Sequence, residues 1–591
     1  MLSLLTRVHT KRSLLIFVFF LISFIRLSLA LAAEEKVKVE IEGVGEEIME
    51  NIRAYLSLEK PPSRPTETMV RRLYNQAPEE IKQALQAMGY YQPRIDSELL
   101  QDDKKWIARF KIDPGPPVRL TRLDLTLTGE GSEDSEFQRL LENLPLREGE
   151  VLHHGRYEQA KELLENLAAE RGYFDARFTT HRLELNLQQN EASAQLDFDT
   201  GPRYRLGVVR FRQNGETFDL RFLDRFVPFE PGEPFHADQI LALNSLLVNS
   251  GYFSRVDVRP IREEAEELTL PIEATAIARK KYELSVGLGY GTDTGLRAIL
   301  GWDNHRINEW GHRFRSELEL SILRQSLTTN YQIPLQQPAT DRLEFQAGVQ
   351  QEDTETAESR LGQVGVSRSV LRWKEWIETL FLNYRTETYE VGEQRGHSRL
   401  ILPGVTYTRT LTDRAASSRR GSTISFTIQG TDEVIGSDMH LLQSRIDGKI
   451  IRPIAKPGRI LLRLNLGWTW VSNFEELPAT LRFFAGGDRS VRGYTYNSLG
   501  PVDETGDVIG GRYLAVGSAE YDYRFAKNWS IAFFYDVGNA FNEIDEMNPQ
   551  QGVGVGGRWY SPVGPVRVDL AYALDQPGFA IRFHINMGPD L

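Results

Sequence analysis

Leu462-Arg463-Leu464-Asn465-Leu466-Gly467-Trp468-Thr469-Trp470 sets Leu462, Leu464, Leu466, Trp468 and Trp470 on one face of an extended chain and Arg463, Asn465, Gly467 and Thr469 on the other. Successive side chains of a strand point to opposite sides, so this stretch reads as a strand with one apolar face. The pattern recurs downstream. Val566, Val568, Leu570 and Tyr572 oppose Arg567, Asp569 and Ala571, and Phe579, Ile581, Phe583, Ile585 and Met587 oppose Ala580, Arg582, His584 and Asn586. From Lys281 onward such runs follow one another with turn residues between them and no long amphipathic helix. A soluble sandwich would bury one face of each strand. Here the polar faces carry many charges, as in Arg313, Arg315, Glu317 and Glu319, and aromatics such as Trp302, Trp468, Trp470 and Tyr572 sit near strand ends. A transmembrane antiparallel β-barrel of about sixteen strands over residues 280–591 accounts for both features, with lipid outside and a polar lumen inside.

One strand of this barrel ends near Val471 and the next begins near Tyr513, which leaves a long connection over about 472–512. Connections of that length inside a compact domain are functional or unstructured. Its middle reads Gly486-Gly487-Asp488-Arg489-Ser490-Val491-Arg492-Gly493-Tyr494-Thr495. Two glycine turns, two arginines and an aromatic suit a loop that folds back and docks. A solvated loop that merely carries Arg492 fits the composition equally well.

The two ends of the barrel must meet. The first strand carries Gly287, Gly289 and Gly291 on one face. Glycine weakens a strand interior, so these residues predict a weak lateral seam with the last strand. The other reading is that they make room for a loop packed in the lumen.

The front half is a repeat. Ala87-Met88-Gly89-Tyr90-Tyr91, Glu170-Arg171-Gly172-Tyr173-Phe174 and Asn249-Ser250-Gly251-Tyr252-Phe253 recur at domain-sized intervals, each after a helical pattern and before a strand-like run. Tyr157, Ala160, Leu163, Leu164 and Leu167 fall at helical spacing before the second copy, as do Ile240, Leu243, Leu246 and Leu247 before the third. The glycine would end the helix in a left-handed conformation. Asp113-Pro114-Gly115-Pro116 and Asp199-Thr200-Gly201-Pro202 close the first two units. The chain therefore divides into α+β modules at 33–118, 119–204 and 205–279, and then the barrel. Small mixed modules leave sheet edges that can accept a strand from another chain.

Before the modules, Arg7, Lys11 and Arg12 precede an apolar run from Ser13 to Ile25, and Ala30-Leu31-Ala32 offers a cleavage site. Residues 1–32 are expected to be an export signal. The chain has no cysteine, which excludes disulfides and thiolate chemistry, and its net charge of −12 argues against nucleic acid as a partner. No enzyme signature stands out. There is no Gly-x-Ser-x-Gly or His-Glu-x-x-His, and the paired His153-His154 lacks a spaced third ligand. Gly552-Val553-Gly554-Val555-Gly556-Gly557 has dinucleotide spacing but lies in an alternating strand with no helix after it. No catalytic residue, metal or cofactor is expected.

Signal, three Gly-Tyr-aromatic repeats, sixteen strand runs and Val491-Arg492-Gly493-Tyr494 together resemble the BamA/TamA/two-partner-secretion superfamily of outer-membrane barrels with POTRA domains. The resemblance covers roughly 33–591. Three repeats, Gly89-Tyr90-Tyr91-Gln92-Pro93 and the ending Met587-Gly588-Pro589-Asp590-Leu591 look like its TamA branch. It implies that the loop enters the lumen, with Gly486, Gly487, Val491, Arg492, Gly493 and Tyr494 as the docking motif. Arg492 would meet Asp536 of Phe534-Tyr535-Asp536-Val537-Gly538, with Glu520 as second candidate. Arg489 would stay solvated. Gln576, Gly578, Ile581 and Phe583 resemble a β-signal read by assembly machinery. The function implied is assembly of outer-membrane clients such as autotransporters through the seam. The implied partners are membrane lipid and a TamB-like periplasmic protein anchored in the inner membrane, in a complex that holds one barrel. A two-partner-secretion pore and a role in phospholipid transport are the alternatives.

Overall fold

The computed structural model describes residues 37–591 apart from 61–65, 103–104, 216, 294, 374, 413–418, 455–456, 562–563, 579 and 588–591. The expected export signal therefore lies outside the described residues, as do Phe579 and 588–591.

Three small sheets precede the barrel. The first contains β1 (Lys38–Glu42), β2 (Arg94–Asp102) and β3 (Lys105–Asp113), with helices Glu46–Tyr55 and Glu67–Ala87 between β1 and β2. The second contains β4 (Arg119–Thr128), β5 (Arg177–Asn186) and β6 (Glu191–Asp199), with helices Ser135–Glu142 and His154–Arg171. The third contains β7 (Arg205–Gln213), β8 (Phe253–Pro260) and β9 (Thr269–Ala278), with helices Leu220–Asp224 and Ala237–Asn249. All three place the last strand in the centre, in the orders β1-β3-β2, β4-β6-β5 and β7-β9-β8. In the first two sheets the outer first strand runs parallel to the central one. Parallel neighbours need a long crossover, which the two helices supply.

The helices pack by one face. Leu73, Ala77, Ile81 and Ala84 meet Ala108, Phe110 and Ile112 in the first module. Tyr157, Ala160, Leu164 and Ala168 are the buried face of helix His154–Arg171. Gly172 ends that helix at φ +86°, and a Cβ there would lie 2.6 Å from the Phe235 side chain. Both the conformation and the space demand glycine.

The barrel strands are β10 (Tyr282–Gly291), β11 (Gly295–Asn304), β12 (Arg313–Ser321), β13 (Arg324–Pro334), β14 (Asp341–Asp353), β15 (Ala357–Arg372), β16 (Trp376–Val391) and β17 (Gln394–Thr412). They continue as β18 (Gly421–Thr431), β19 (Leu441–Pro453), β20 (Gly458–Val471), β21 (Tyr513–Ala526), β22 (Trp529–Phe541), β23 (Gln550–Ser561), β24 (Gly564–Ala573) and β25 (Ile581–Met587). Each pairs with the next in one sixteen-stranded sheet. β22 shows the division of faces. Trp529, Ile531, Phe533 and Tyr535 are exposed on the outside, and Ser530, Ala532, Phe534 and Asp536 are buried within. Among the described residues no helix is long and apolar enough to cross a membrane. The strands do it instead, because neighbours in a nearly closed sheet satisfy one another's backbone in lipid.

The two ends of the sheet barely join. Among the described residues β10 and β25 share no strand ladder. The Thr292 N–H donates to the Ile585 carbonyl at 3.2 Å, and the Ile585 N–H donates to Thr292 Oγ1 at 3.2 Å. Gly287 and Gly289 do not make room for the loop. A Cβ at either would find only ordinary contact, with Ile299 at 3.6 Å or Arg297 at 3.8 Å. Their effect is to leave the inner face of β10 without side chains beyond Ser285.

The expected β-signal is corrected at its start. β25 begins at Ile581, so Ile581 and Phe583 lie in the strand and Gln576 and Gly578 do not. The pair Tyr572–Ile581 closes the β24–β25 hairpin, and the residues between must turn, with Gly578 at φ +88°.

Candidate loop-docking site

The connection 472–512 is a folded insert with two anchors. Its base packs Phe474, Leu477, Leu481 and Ile509 against Tyr389 and Val391 of β16 and Leu400 and Leu402 of β17. Arg482 is buried there, and its guanidinium donates to the carbonyls of Leu477, Ile509 and Glu475 at 2.7, 3.1 and 2.9 Å. Bridges Phe483–Gly511 and Ala485–Leu499 then carry the chain inward.

The second anchor is Arg492. Strand alternation turns Glu520 on β21, Asp536 on β22 and Asp569 on β24 toward the lumen. Arg492 reaches all three. Its Nε and Nη2 form a two-pronged pair with Asp536 at 2.7 and 3.0 Å, and its backbone N–H adds a third bond at 3.1 Å. Its Nη1 donates to Glu520 at 2.8 Å and Asp569 at 3.1 Å. The guanidinium lies 3.4 Å from the centre of the Phe534 ring. A planar fork pairs with carboxylates in fixed geometry and stacks on aromatics, which lysine cannot reproduce. Arg558 on β23 completes the network, donating to Glu520 at 3.2 Å and to Asp569. Burial by itself would push the Arg492 pKa down. Asp536, Glu520 and Asp569 outweigh it and raise the pKa above the ordinary arginine value, so the group stays charged.

The backbone around Arg492 needs space that the wall provides. A Cβ at Gly552 would lie 2.0 Å from the Arg492 carbonyl oxygen, and a Cβ at Gly556 would overlap the Asp569 carboxylate at 1.7 Å. Gly552 thus lets the loop backbone reach the wall, and Gly556 leaves room for the carboxylate that Arg492 meets. Val491 is fully buried against Leu514, Val516 and Ala573. Gly493 has φ +99°, and its N–H donates to His584 Nε2 at 3.0 Å. The Tyr494 hydroxyl reaches Gln550 at 3.3 Å. Gly486 and Gly487 both have positive φ and form the turn at the tip. Gly538 is a correction. A Cβ there would lie 2.3 Å from the Ala515 carbonyl oxygen, so its missing side chain serves the close pairing of β22 with β21, not the loop. Gly287, Gly289 and Gly291 belong to β10, apart from this network. Arg489 is exposed.

Three more residues meet beside the tip. The Asp488 N–H donates to Asp293 Oδ2 at 2.6 Å, and the Asp488 carboxylate bonds His584 Nδ1. Their ligand atoms lie within 4.8 Å of one another. Both nitrogens of His584 are already engaged by Gly493 and Asp488, which leaves none open to a metal. Burial, then the Asp488 charge, raises the Asp293 carboxyl to about 6.

Asp569, Arg558, His584, Asp488 and Asp293 are site residues that the sequence did not single out. The available signal was the alternation itself, which sets Asp569 and His584 on lumen faces.

Comparison with known proteins agrees with this architecture. The family described as Omp85 superfamily domain matches residues 275–590. "POTRA domain TamA domain 1" matches 38–114, and "Surface antigen variable number repeat" matches 124–201. The chain is 22% identical over 526 residues to an outer membrane protein assembly factor BamA of Nitratidesulfovibrio vulgaris, covering 84% of this chain and 64% of that one. It is 22% identical to BamA of Neorickettsia risticii, covering 83% of this chain and 68% of that one. The chain thus spans about two-thirds of the length of these relatives. The crystal structure of Haemophilus ducreyi BamA lacking POTRA domains 1–3 shares the fold at TM-score 0.65 and 17% identity, over 80% of this chain and 99% of that one. With a lipid-facing barrel, an inserted loop and three preceding modules, the chain belongs to the Omp85 superfamily, as an outer-membrane β-barrel whose POTRA modules are periplasmic.

Proposed function

We propose that this protein is an outer-membrane assembly factor that templates incoming client strands at the seam between β10 and β25. The observation that carries this reading is the seam itself. Its two strands share no ladder among the described residues, so each presents unpaired backbone groups. Unpaired groups are costly in hydrocarbon, and an incoming strand would satisfy them. The protein performs no catalytic step in this scheme and needs no nucleotide or metal. Its clients are outer-membrane proteins such as autotransporters. Its partner is a TamB-like protein anchored in the inner membrane and held by the POTRA modules; the TamA-type match over 38–114 supports that assignment. A contribution to phospholipid transport would run through the same partner.

The test is to lock the seam. Continuing the Thr292–Ile585 register sets Tyr290 opposite Met587, and both side chains are exposed on the outer face. The chain has no native cysteine to interfere. In a Tyr290→Cys/Met587→Cys protein, oxidation should stop client insertion and reduction should restore it. Full activity of the oxidised protein would mean that the barrel works closed, as a pore or a platform.

A further inference from the structure

We infer that Asp488 is the residue through which the lumen loop holds the seam shut. Thr292 and Asp293 lie in the turn that directly follows the first strand, and His584 and Ile585 lie on the last. Asp488 is bonded to both sides. Its N–H donates to Asp293 Oδ2 at 2.6 Å, and its Oδ1 accepts from Thr292 Oγ1 at 3.2 Å. The same carboxylate bonds His584 Nδ1. The Gly493 N–H points at His584 Nε2 at 3.0 Å, so Nε2 is the acceptor and Nδ1 carries the proton toward Asp488. One loop side chain therefore bridges the two strands where they have almost no contact of their own.

The approach is built in. A Cβ at Gly487, where φ is +101°, would lie 2.5 Å from Asp293 Oδ2. Only a glycine lets the tip come this close to the hairpin. The Asp488 and His584 side chains are 7% and 2% exposed, so water competes little for these bonds.

The consequence is a coupling. Arg492 holds the loop against β21, β22 and β24, while Asp488, four positions earlier, straps β10 to β25. Loop docking and seam closure are then one equilibrium, and withdrawal of the loop releases the strap. Coupling of this kind is reciprocal, so a strand that opens the seam also loosens the loop. The use of this strap in client insertion rests on the proposed function. The strap itself does not.

The experiment reads the seam alone. Spin labels on Tyr290→Cys and Met587→Cys in the purified full-length protein, in lipid nanodiscs, should report one short distance. Asp488→Ala should add a longer-distance population, raising the open-to-closed ratio about fivefold or more, the lower end of typical coupling. Asp488→Asn keeps an acceptor for Thr292 and His584 and should restore most of the short distance. Arg489→Ala, at the exposed neighbour, should leave it unchanged. A single short distance in Asp488→Ala would overturn the strap, provided the barrel still resists unfolding in detergent before heating. If Asp488→Ala misfolds, His584→Ala tests the same bond from the wall, and an unchanged distance there overturns it too. If the seam opens in these variants while the oxidised lock still inserts clients, the strap stands and the proposed function falls.

Discussion

At Arg492 the decisive quantity is the cost of orphaning buried carboxylates. Removing one partner of a buried ion pair costs about 3–5 kcal/mol, because the other charge is left without water or counter-charge. Asp536 would be the orphan, since Arg558 still serves Glu520 and Asp569 while Arg463 stands 4.0 Å from Asp536. Arg492→Ala should therefore undock the tip, seen as much faster tryptic cleavage after Arg489 with the barrel intact. Arg492→Lys should recover only part, because a point charge cannot fork to Asp536 and reach Glu520 as well. A charge swap of Arg492 with Asp536 should rescue poorly. It would set an aspartate against Glu520 and Asp569. Gly552→Ala should undock the loop without touching a charge, since its Cβ has 2.0 Å in which to fit. The Arg492–Asp536 pair was legible because the two motifs carry it. Asp569 and Arg558 were not. Nothing in an alternating strand says which of its inward charges will meet a loop from elsewhere in the chain. Gly552 looked like part of an accidental nucleotide motif because its partner, the Arg492 backbone, lies sixty positions upstream.

At the scale of elements, the inserted loop behaves as two units joined by a short bridge. The base has its own apolar core on β16 and β17, and the tip has the charge network. Arg482 should be the keystone of the base. Its guanidinium satisfies three carbonyls, and a buried carbonyl left unpaired costs roughly 1–3 kcal/mol. Arg482→Ala should raise hydrogen exchange at 474–481 and 507–511 while Gly493 and Tyr494 stay protected. Loss of protection across the whole loop would mean that base and tip fold as one. Alternation and turn residues disclosed the strands and their approximate number, since lipid imposes period two on every one of them. The base was hidden because its strands, β16 and β17, simply continue the barrel's alternation through the residues that meet it. The last strand was read too long for a different reason. Gln576 and Gly578 were joined to it only by the resemblance to a β-signal, and the hairpin geometry shows that the chain is turning at Gly578.

At the scale of the whole molecule, the three Gly-Tyr-aromatic repeats were legible as domain punctuation, but their contacts were not. In the first copy Tyr91 bonds His154 of the second module, so the motif joins one module to the next. The third copy has no module after it and takes the barrel instead; most of the third module falls in the barrel's compact unit. The Tyr252 hydroxyl donates to the Gly311 carbonyl at 2.7 Å, in the turn between β11 and β12. Arg313, at the start of β12, lies 3.5 Å from the centre of the Tyr252 ring and donates to the Ser250 carbonyl at 2.7 Å. A Cβ at Gly311 would lie 2.4 Å from the Phe222 ring, so this turn fits the module without space to spare. A desolvated cation–π contact and a charged hydrogen bond are each worth about 2 kcal/mol. Arg313→Ala removes both, and Gly311→Val adds a clash and a strained φ. Either should free the third module from the barrel rim, read as faster tryptic cleavage at Arg279, Lys280 and Lys281 with the strands unaffected. Tyr252→Phe keeps the ring under Arg313 and loses only the bond to Gly311, so its effect should be smaller. Equal cleavage in Arg313→Ala and the parent protein would mean that the bonds left across the joint, from the Tyr252 hydroxyl to Gly311, from the Asp219 N–H to the Glu309 carbonyl at 3.2 Å and from Arg225 Nη1 to the Leu335 carbonyl at 2.9 Å, hold it without Arg313.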